Sequence, residues 1–324
     1  MRRGVLLGIL LVAGSLSVAV MGFQGPPAGQ GGGQRAGGPP AGAQGARGAA
    51  PAQALQTIKV RDNLYMIANG GGNTAIFIMS NGVTLVDTKN PNNGQGIVDQ
   101  VRMVTNKPIT MIINTHTHAD HTGSNEFFTD NVVFVAHENT KANMEKMTNF
   151  AGDKAKFLPS RVYKDTMTIG SGADQIVLYY FGRAHTSGDS FVVFPAIRAM
   201  HAGDAFASKG FPLVDAMNGG SAVEYGNTLA KAASTIKNVD TIINGHITTG
   251  PTPFSDLQIY ADFNKDFLAY VQDAIKSGKT ADQAVADYKF PDKYTPAMGY
   301  NPPAAGGRGG PTNNIRAAYM ELGK

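Results

Sequence analysis

The sequence predicts an α/β fold in which two sheets pack face to face with helices outside, forming one continuous domain. Short apolar strand runs and amphipathic helical runs alternate along the chain, and they do so in two comparable halves. A second observation bears on the arrangement: histidines and aspartates gather in the turns that end apolar strands. Periodicity alone is equally compatible with a doubly wound sheet, and these motifs decide between the two.

In chain order, "TIKVRDNLYMIAN", "NTAIFIMSN" and "GVTLVDT" read as short strands, punctuated by turn signals at Gly70–Asn73 and Asn81–Gly82. "NNGQGIVDQVRMVT" has helical amphipathic spacing, and "KPITMIINT" is a continuous apolar strand ending at Thr115. "NVVFVAHENT" is a further strand leading into the helical "KANMEKMTNFA". The second half repeats the pattern with "TMTIGSGADQIVLYYFG", "DSFVVFPAIRAMHAGD", a helix from about Tyr225 to Lys237, and "VDTIINGH". Helical segments follow over Phe254–Ser277 and Asp282–Tyr288. A Pro/Gly stretch, "NPPAAGGRGGP", precedes a closing segment, "NIRAAYMELGK".

Ahead of this domain, residues 1–23 hold two arginines and then an uncharged apolar run, the layout of a secretory signal peptide, with Ser17 and Ala19 offering a small-residue cleavage site. An uncleaved anchor is the alternative, since the run approaches membrane-spanning length. The expected location is therefore periplasmic or secreted, with no stable membrane insertion once the signal is cleaved. Residues 24–56 are almost entirely Gly, Pro, Ala and Gln, which cannot bury enough apolar surface to offset chain entropy, so a disordered tether is expected there. The folded domain is expected over 57–324, with its C-terminal helices beginning near 254.

The leader also explains the basic charge. Arg2, Arg3, Arg35 and Arg47 precede residue 57 with no acid among them, and removing those four from 28 basic residues leaves 24 against 24 acidic ones. A formally neutral domain gives no support for a nucleic-acid partner. The chain has no cysteine, which excludes disulfides, a lipid-anchoring cysteine, and thiolate ligands or nucleophiles. Any metal must be held by nitrogen and oxygen.

Of seven histidines, three lie in "IINTHTHADHTG" as His116, His118 and His121, with Asp120 among them. His185 in "YYFGRAHTSGD" and His246 in "TIINGHITTG" end apolar strands in glycine-bearing turns, and Asp204 closes "IRAMHAGDAF" in the same way. Turns carried on a rigid sheet are where ligands and catalysts usually sit. His137 and His201 lie inside apolar strands and read as satisfied core histidines. One catalytic zinc takes three protein ligands, so seven imidazole and carboxylate candidates suit two ions sharing a carboxylate. The donors suit zinc, iron or manganese.

"HTHADH" resembles the His-x-His-x-Asp-His signature of the metallo-β-lactamase superfamily, with His185, Asp204 and His246 following in that family's order and "LVDT" (Asp87) resembling its early aspartate motif. The resemblance spans residues 57–250 or so. It implies the metallo-β-lactamase fold, a four-layered αβ/βα sandwich with the metals in a groove along one edge of both sheets. It further implies that His116, His118 and His185 bind one metal, that Asp120, His121 and His246 bind a second, and that Asp204 bridges them. Asp87 would orient a ligand histidine from behind. Thr186 and Ser187 sit where similar support could come from, though hydroxyls in turns are common.

The chemistry implied is hydrolysis assisted by two Zn²⁺, with Asp120 both a ligand and a proton shuttle. The small-molecule substrate is expected to be carbonyl-type: a lactam, a lactone, or another ester or thioester. True β-lactamases of the family generally carry cysteine or serine where this chain has Asp204. The bridging aspartate resembles glyoxalase II-like thioesterases and lactonases, which leaves lactam turnover as a side activity. The run from His185 onward resembles the exported cyclase-like or SoxH-like branch. Lys209, Asn218 and Tyr225 follow the bridging position where substrate contacts often fall, and are candidates for that role. Alternatives are a mono-iron oxygenase like the sulfur dioxygenases, and a metal-binding protein without catalysis.

Overall fold

The computed structural model describes residues 54–129, 131–300 and 309–324. The expected signal peptide, and the expected tether as far as residue 53, lie outside the described residues. The first half contains strands β1 (Gln56–Arg61), β2 (Leu64–Ala68), β3 (Thr74–Ile78) and β4 (Val83–Val86), helix α1 (Gly94–Arg102), β5 (Ile109–Ile113), the single turn α2 (Ala119–Thr122), β6 (Val133–His137), α3 (Glu138–Met144) and β7 (Arg161–Tyr163). The second half contains β8 (Thr166–Ile169), β9 (Ile176–Tyr179), β10 (Phe191–Phe194), β11 (Ala199–Gly203), α4 (Tyr225–Thr235), β12 (Thr241–Asn244) and β13 (Thr252–Pro253). Helices α5 (Ser255–Lys276), α6 (Ala281–Asp287) and α7 (Pro311–Glu321) close the chain.

Three of the apolar runs are hairpins, one of them "DSFVVFPAIRAMHAGD", in which β10 pairs antiparallel with β11. The pair Asp62–Asn63 turns β1 into β2, and Gly172–Asp174 separates β8 from β9. Strands β1 to β7 form a seven-stranded sheet in sequence order, and β13-β12-β11-β10-β9-β8 form a six-stranded one. Each sheet is buried on both faces, which explains why the strands read as continuous apolar runs. Side-chain alternation divides them: Met66, Phe77, Val86, Ile113 and Val135 meet Leu178, Val192, Phe194 and Ile243 between the sheets. Their neighbours Ile67, Ile76, Leu85, Ile112 and Phe134 face outward onto Ile97 and Val101 of α1 and Met144 of α3. On the far side, Val193, Met200 and Ile242 pack against Leu229 of α4 and Leu257 and Tyr260 of α5. The result is a four-layered αβ/βα sandwich.

Strand direction places the site. β4 and β5 are parallel, as are β11 and β12. β9 and β11 are each antiparallel to β10, so they also run in one direction. The turns leaving β4, β5, β9, β11 and β12 carry Asp87, the "HTHADH" segment, His185, Asp204 and His246. Parallel strands release their turns at the same edge, so five separate sequence motifs meet there. The edge is locked by Asn73, whose N–H donates to Gly245 O at 2.7 Å and whose side-chain amide donates to Asn244 O and Ile247 O, both at 2.8 Å.

Beyond the sandwich, α6 and α7 pack on α5 through Phe267, Val271, Ala284, Ile315 and Tyr319. Glu321 anchors α7 by accepting from Arg183 at 2.9 Å and from Ser221 at 2.6 Å. Among the described residues, no helix is long and apolar enough to cross a membrane.

Candidate metal centre

The ligand atoms of His116, His118, His185 and Asp204 all lie within 4.8 Å of one another, and so do those of Asp120, His121 and His246. Asp204 stands between the two groups. Its Oδ2 is 3.6 Å from His185 Nε2 and 3.2 Å from His246 Nε2, and its Oδ1 is 3.2 Å from His121 Nε2. Asp120 Oδ2 lies 3.3 Å from His246 Nε2.

Each of four histidines has its other ring nitrogen committed elsewhere, which fixes the inward atom. His121 Nδ1 lies 2.7 Å from Asp87 Oδ2, and His118 Nε2 lies 2.7 Å from Asp215 Oδ2. His185 Nδ1–H donates to the Leu213 carbonyl at 2.5 Å. Thr115 Oγ1 gives its one proton to Asp87 Oδ2 at 2.7 Å, so its oxygen is free to accept from His116 Nδ1–H at 3.0 Å. His116 Nε2 is then a bare lone pair, buried and without a hydrogen-bond partner, and Asp204 Oδ1 is likewise buried and makes no hydrogen bond, with His121 Nε2 3.2 Å away.

Two orphaned buried atoms aimed at a cluster of imidazoles and carboxylates are what a nitrogen- and oxygen-ligated divalent cation would satisfy. The backbone makes room for it. A Cβ on Gly72 would sit 2.1 Å from the His121 ring, and one on Gly245 would sit 1.9 Å from Asp204 Oδ1. The residues fit a metal centre.

Electrostatics agree. Burial pushes His185 down to about 4 and holds His116 well below the usual histidine range, the nearby His121 adding to the latter effect. Both rings are thereby kept neutral, as ligands must be. Burial also opposes charge on His121, but the Asp204 and Asp87 carboxylates outweigh it and hold this ring well above the ordinary value. For Asp204, burial is outweighed by the facing His121 and His246, and its carboxyl stays well below the carboxylate range. Positive charge is thus favoured between the second group and Asp204.

Asp87 has φ +65°, a left-handed conformation in which aspartate is over-represented among non-glycine residues. That turn directs its carboxylate back to Thr115 N–H at 2.8 Å and to His121. Thr186 donates its N–H and hydroxyl to Asp189, both at 2.8 Å, and so shapes the His185 turn, while Ser187 Oγ accepts from Asn143 at 3.1 Å. His201 donates to Asn73 O and accepts from Gly203 N–H, each at 3.0 Å. His137 donates to Lys164 O at 2.6 Å and accepts from Asn139 N–H at 3.1 Å, capping α3.

The side chains of the three candidate substrate contacts each have a partner within the protein. Lys209 Nζ is paired with Asp256 at 2.8 Å and donates to Met298 O at 2.9 Å. Asn218 donates to Asp215 Oδ2 at 2.6 Å. Tyr225 is buried, with its hydroxyl donating to the backbone oxygen of Asp204 at 2.9 Å.

In their place, a groove of roughly 850 Å³ opens over the cluster, reached by His118, Asp120 and His246 and walled by Phe211–Val214. Two residues of this segment support the site from outside the His/Asp motifs: Asp215, which orients His118, and Leu213, which holds His185 by its backbone. "PLVD" at Pro212–Asp215 does repeat the apolar-run-then-acid pattern of "TLVD" at Thr84–Asp87. A backbone carbonyl leaves no such sign.

A family profile described as "Metallo-beta-lactamase superfamily" matches residues 68–247. The chain is 21% identical over 196 residues to metallo-beta-lactamase IND-1 of Chryseobacterium indologenes, covering 58% of this chain and 80% of that protein. Among solved structures it is similar to the stereoselective inverting sec-alkylsulfatase Pisa1 from Pseudomonas sp., with a TM-score of 0.68 at 14% identity over 82% of this chain. The chain spans only 50% of that structure's length. It is also similar to DIM-1 metallo-beta-lactamase, with a TM-score of 0.55 at 17% identity, covering 66% of this chain and 99% of that one.

Proposed function

Because the chain belongs to the metallo-beta-lactamase superfamily, we propose that it is a binuclear zinc hydrolase acting on a carbonyl-type substrate such as a lactone, lactam, ester or thioester. The observation that supports this reading is Asp204, placed between two clusters of residues that could hold a metal, with one buried oxygen that makes no hydrogen bond. His116, His118 and His185 would hold one zinc, Asp120, His121 and His246 the other, and Asp204 would contact both. Zinc bound there supplies Lewis acidity and lowers the pKa of water toward neutrality.

The chain's own residues do the positioning. Asp87, Thr115, Asp215 and the Leu213 carbonyl fix the ligand rings from behind, so little reorganisation accompanies reaction. Asp120 has a side chain one-third exposed to the groove, 33% by area, and reaches the centre from its open side. It is the group placed to accept a proton from the attacking water and return it to the leaving group.

The basic and apolar leader at residues 1–23 supports export to the periplasm or beyond the cell.

The test is metal analysis together with a panel of lactams, lactones, thioesters, phosphodiesters and sulfate esters. Two zincs per chain, hydrolysis abolished by chelator and restored by zinc, and loss of both activity and zinc in His118→Ala are expected. One iron per chain with oxygen uptake would favour the oxygenase reading, and full activity in metal-free protein would overturn both.

A further inference from the structure

The groove over the metal centre is uneven in its chemistry. One wall is the segment Phe211–Val214, four apolar residues in succession, and Leu213 is 39% exposed. The ionisable groups that reach the groove besides histidine are Asp120, Asp204 and Asp215. Among the described residues no lysine or arginine lines it, and the nearby Lys209 is tied to Asp256 and Met298 O. An anionic substrate group away from the reacting centre would meet carboxylates, hydrocarbon and the neutral side chains of Asn90, Ser208 and Asn313, with no cation among the described lining residues.

This wall is also held in place. Phe211 sits in an aromatic cluster with Phe263, Phe267 and Tyr288, its ring centroid 5.1 to 5.6 Å from theirs. Asn314 of α7, buried, donates to Pro212 O at 2.9 Å. Leu213 O accepts from His185, and Asp215 N–H donates to His185 O at 2.9 Å. The backbone of this wall is therefore fixed, with Pro212 buried, Phe211 packed into the aromatic cluster and Leu213 left exposed at the groove. A fixed apolar surface beside a reactive centre is a binding surface for hydrocarbon.

We infer that the substrate is an ester or lactone carrying an uncharged apolar chain, which lies along Phe211–Val214 while its carbonyl faces His118, Asp120 and His246. The inference rests on the hydrolase reading above and names the substrate class for that site. In the reaction the oxygen of water forms a bond to the acyl carbon and the carbon–alkoxy bond breaks. The alcohol leaves with one proton of the water, so no further reactant is needed.

The test uses the full zinc-loaded protein and two series. The first is p-nitrophenyl esters from acetate to decanoate, with a matched ester bearing a terminal carboxylate. The second is non-hydrolysable N-alkyl amides of the same lengths, whose binding is measured by calorimetry and needs no turnover. We expect both kcat/KM and amide affinity to rise about two- to threefold per added methylene, below the full transfer value because binding also orders the chain. The terminal carboxylate should cost at least tenfold. Leu213→Asp, which keeps the backbone carbonyl on His185, should flatten both series, whereas Leu213→Met should preserve them. Length-dependent amide binding without hydrolysis would support the apolar site and sink the hydrolase reading. Hydrolysis indifferent to chain length, or a preference for the carboxylate-bearing ester, would overturn the inference and leave the hydrolase reading standing.

Discussion

Asp87 Oδ2 lies 2.7 Å from Nδ1 of His121, and both side chains are fully buried. The aspartate is at the end of β4 and the histidine in the short helix after β5, so a contact across 34 residues sets the direction of the imidazole. Carboxylates behind ligand histidines fix the tautomer and raise ring basicity. Asp87→Asn should lower metal affinity by about 10- to 100-fold. Competition against a chromogenic chelator measures this, and unchanged affinity would remove Asp87 from the centre.

Asp215 plays the matching part for His118, on the opposite group. Asp215→Ala should weaken one metal by about tenfold or more while the metal at Asp120, His121 and His246 stays nearer its original affinity. Calorimetric titration would resolve the two events. Equal weakening of both would show that the segment 211–215 acts on the whole edge.

Gly72 and Gly245 test how closely the cluster is confined. A methyl at either position meets a pinned group at about bonding distance, 2.1 Å from the His121 ring or 1.9 Å from Asp204 Oδ1. Gly72→Ala and Gly245→Ala should fold, since the clash lies at the sheet edge, but should bind zinc at least tenfold more weakly by the same displacement of ligands. Normal zinc content in both variants would contradict the geometry.

Tyr225 offers a comparison between a substrate contact and a support. Its hydroxyl donates to Asp204 O in a buried position, so Tyr225→Phe should cost about 1 kcal/mol of stability. KM for any hydrolysed ester should stay within a factor of two or so, since an internal bond touches no substrate. A large KM change with unaltered stability would restore the substrate role.

His137 gives a pH dependence outside the metal centre. Burial lowers its pKa below the ordinary 6.5, only partly offset by the hydrogen bond to Lys164 O. The unfolded chain therefore binds the proton more readily. The stability involved is fully present above pH 6.5 and is lost as pH falls through the lowered folded value. Asn can cap α3 in its place without titrating. Urea unfolding at pH 8 and pH 5.5 should show a smaller acid loss in His137→Asn than in the unaltered protein, and equal losses would exclude His137 as a source.

The sequence by itself determined the fold class and the seven side chains that converge on the centre. Both are written in residue type: apolar runs with turn residues between them, and imidazoles or carboxylates in the turns that follow strands. It also made Asp87 legible, because an acid ending "TLVD" is a local pattern. Tertiary structure decided what lies behind and beside those candidate ligands. Thr115 and the Leu213 carbonyl became supports for His116 and His185 only when separate turns met at one sheet edge, and a backbone oxygen carries no residue identity to read. The same packing turned Lys209 toward Asp256, Asn218 toward Asp215 and Tyr225 beneath Asp204, although chain position alone put all three near the substrate. For Asn218 the partner is only three residues away, but for Lys209 and Tyr225 side-chain direction is settled by a long-range partner. That partner lies 47 residues away for Lys209 and 21 for Tyr225, beyond the reach of local pattern.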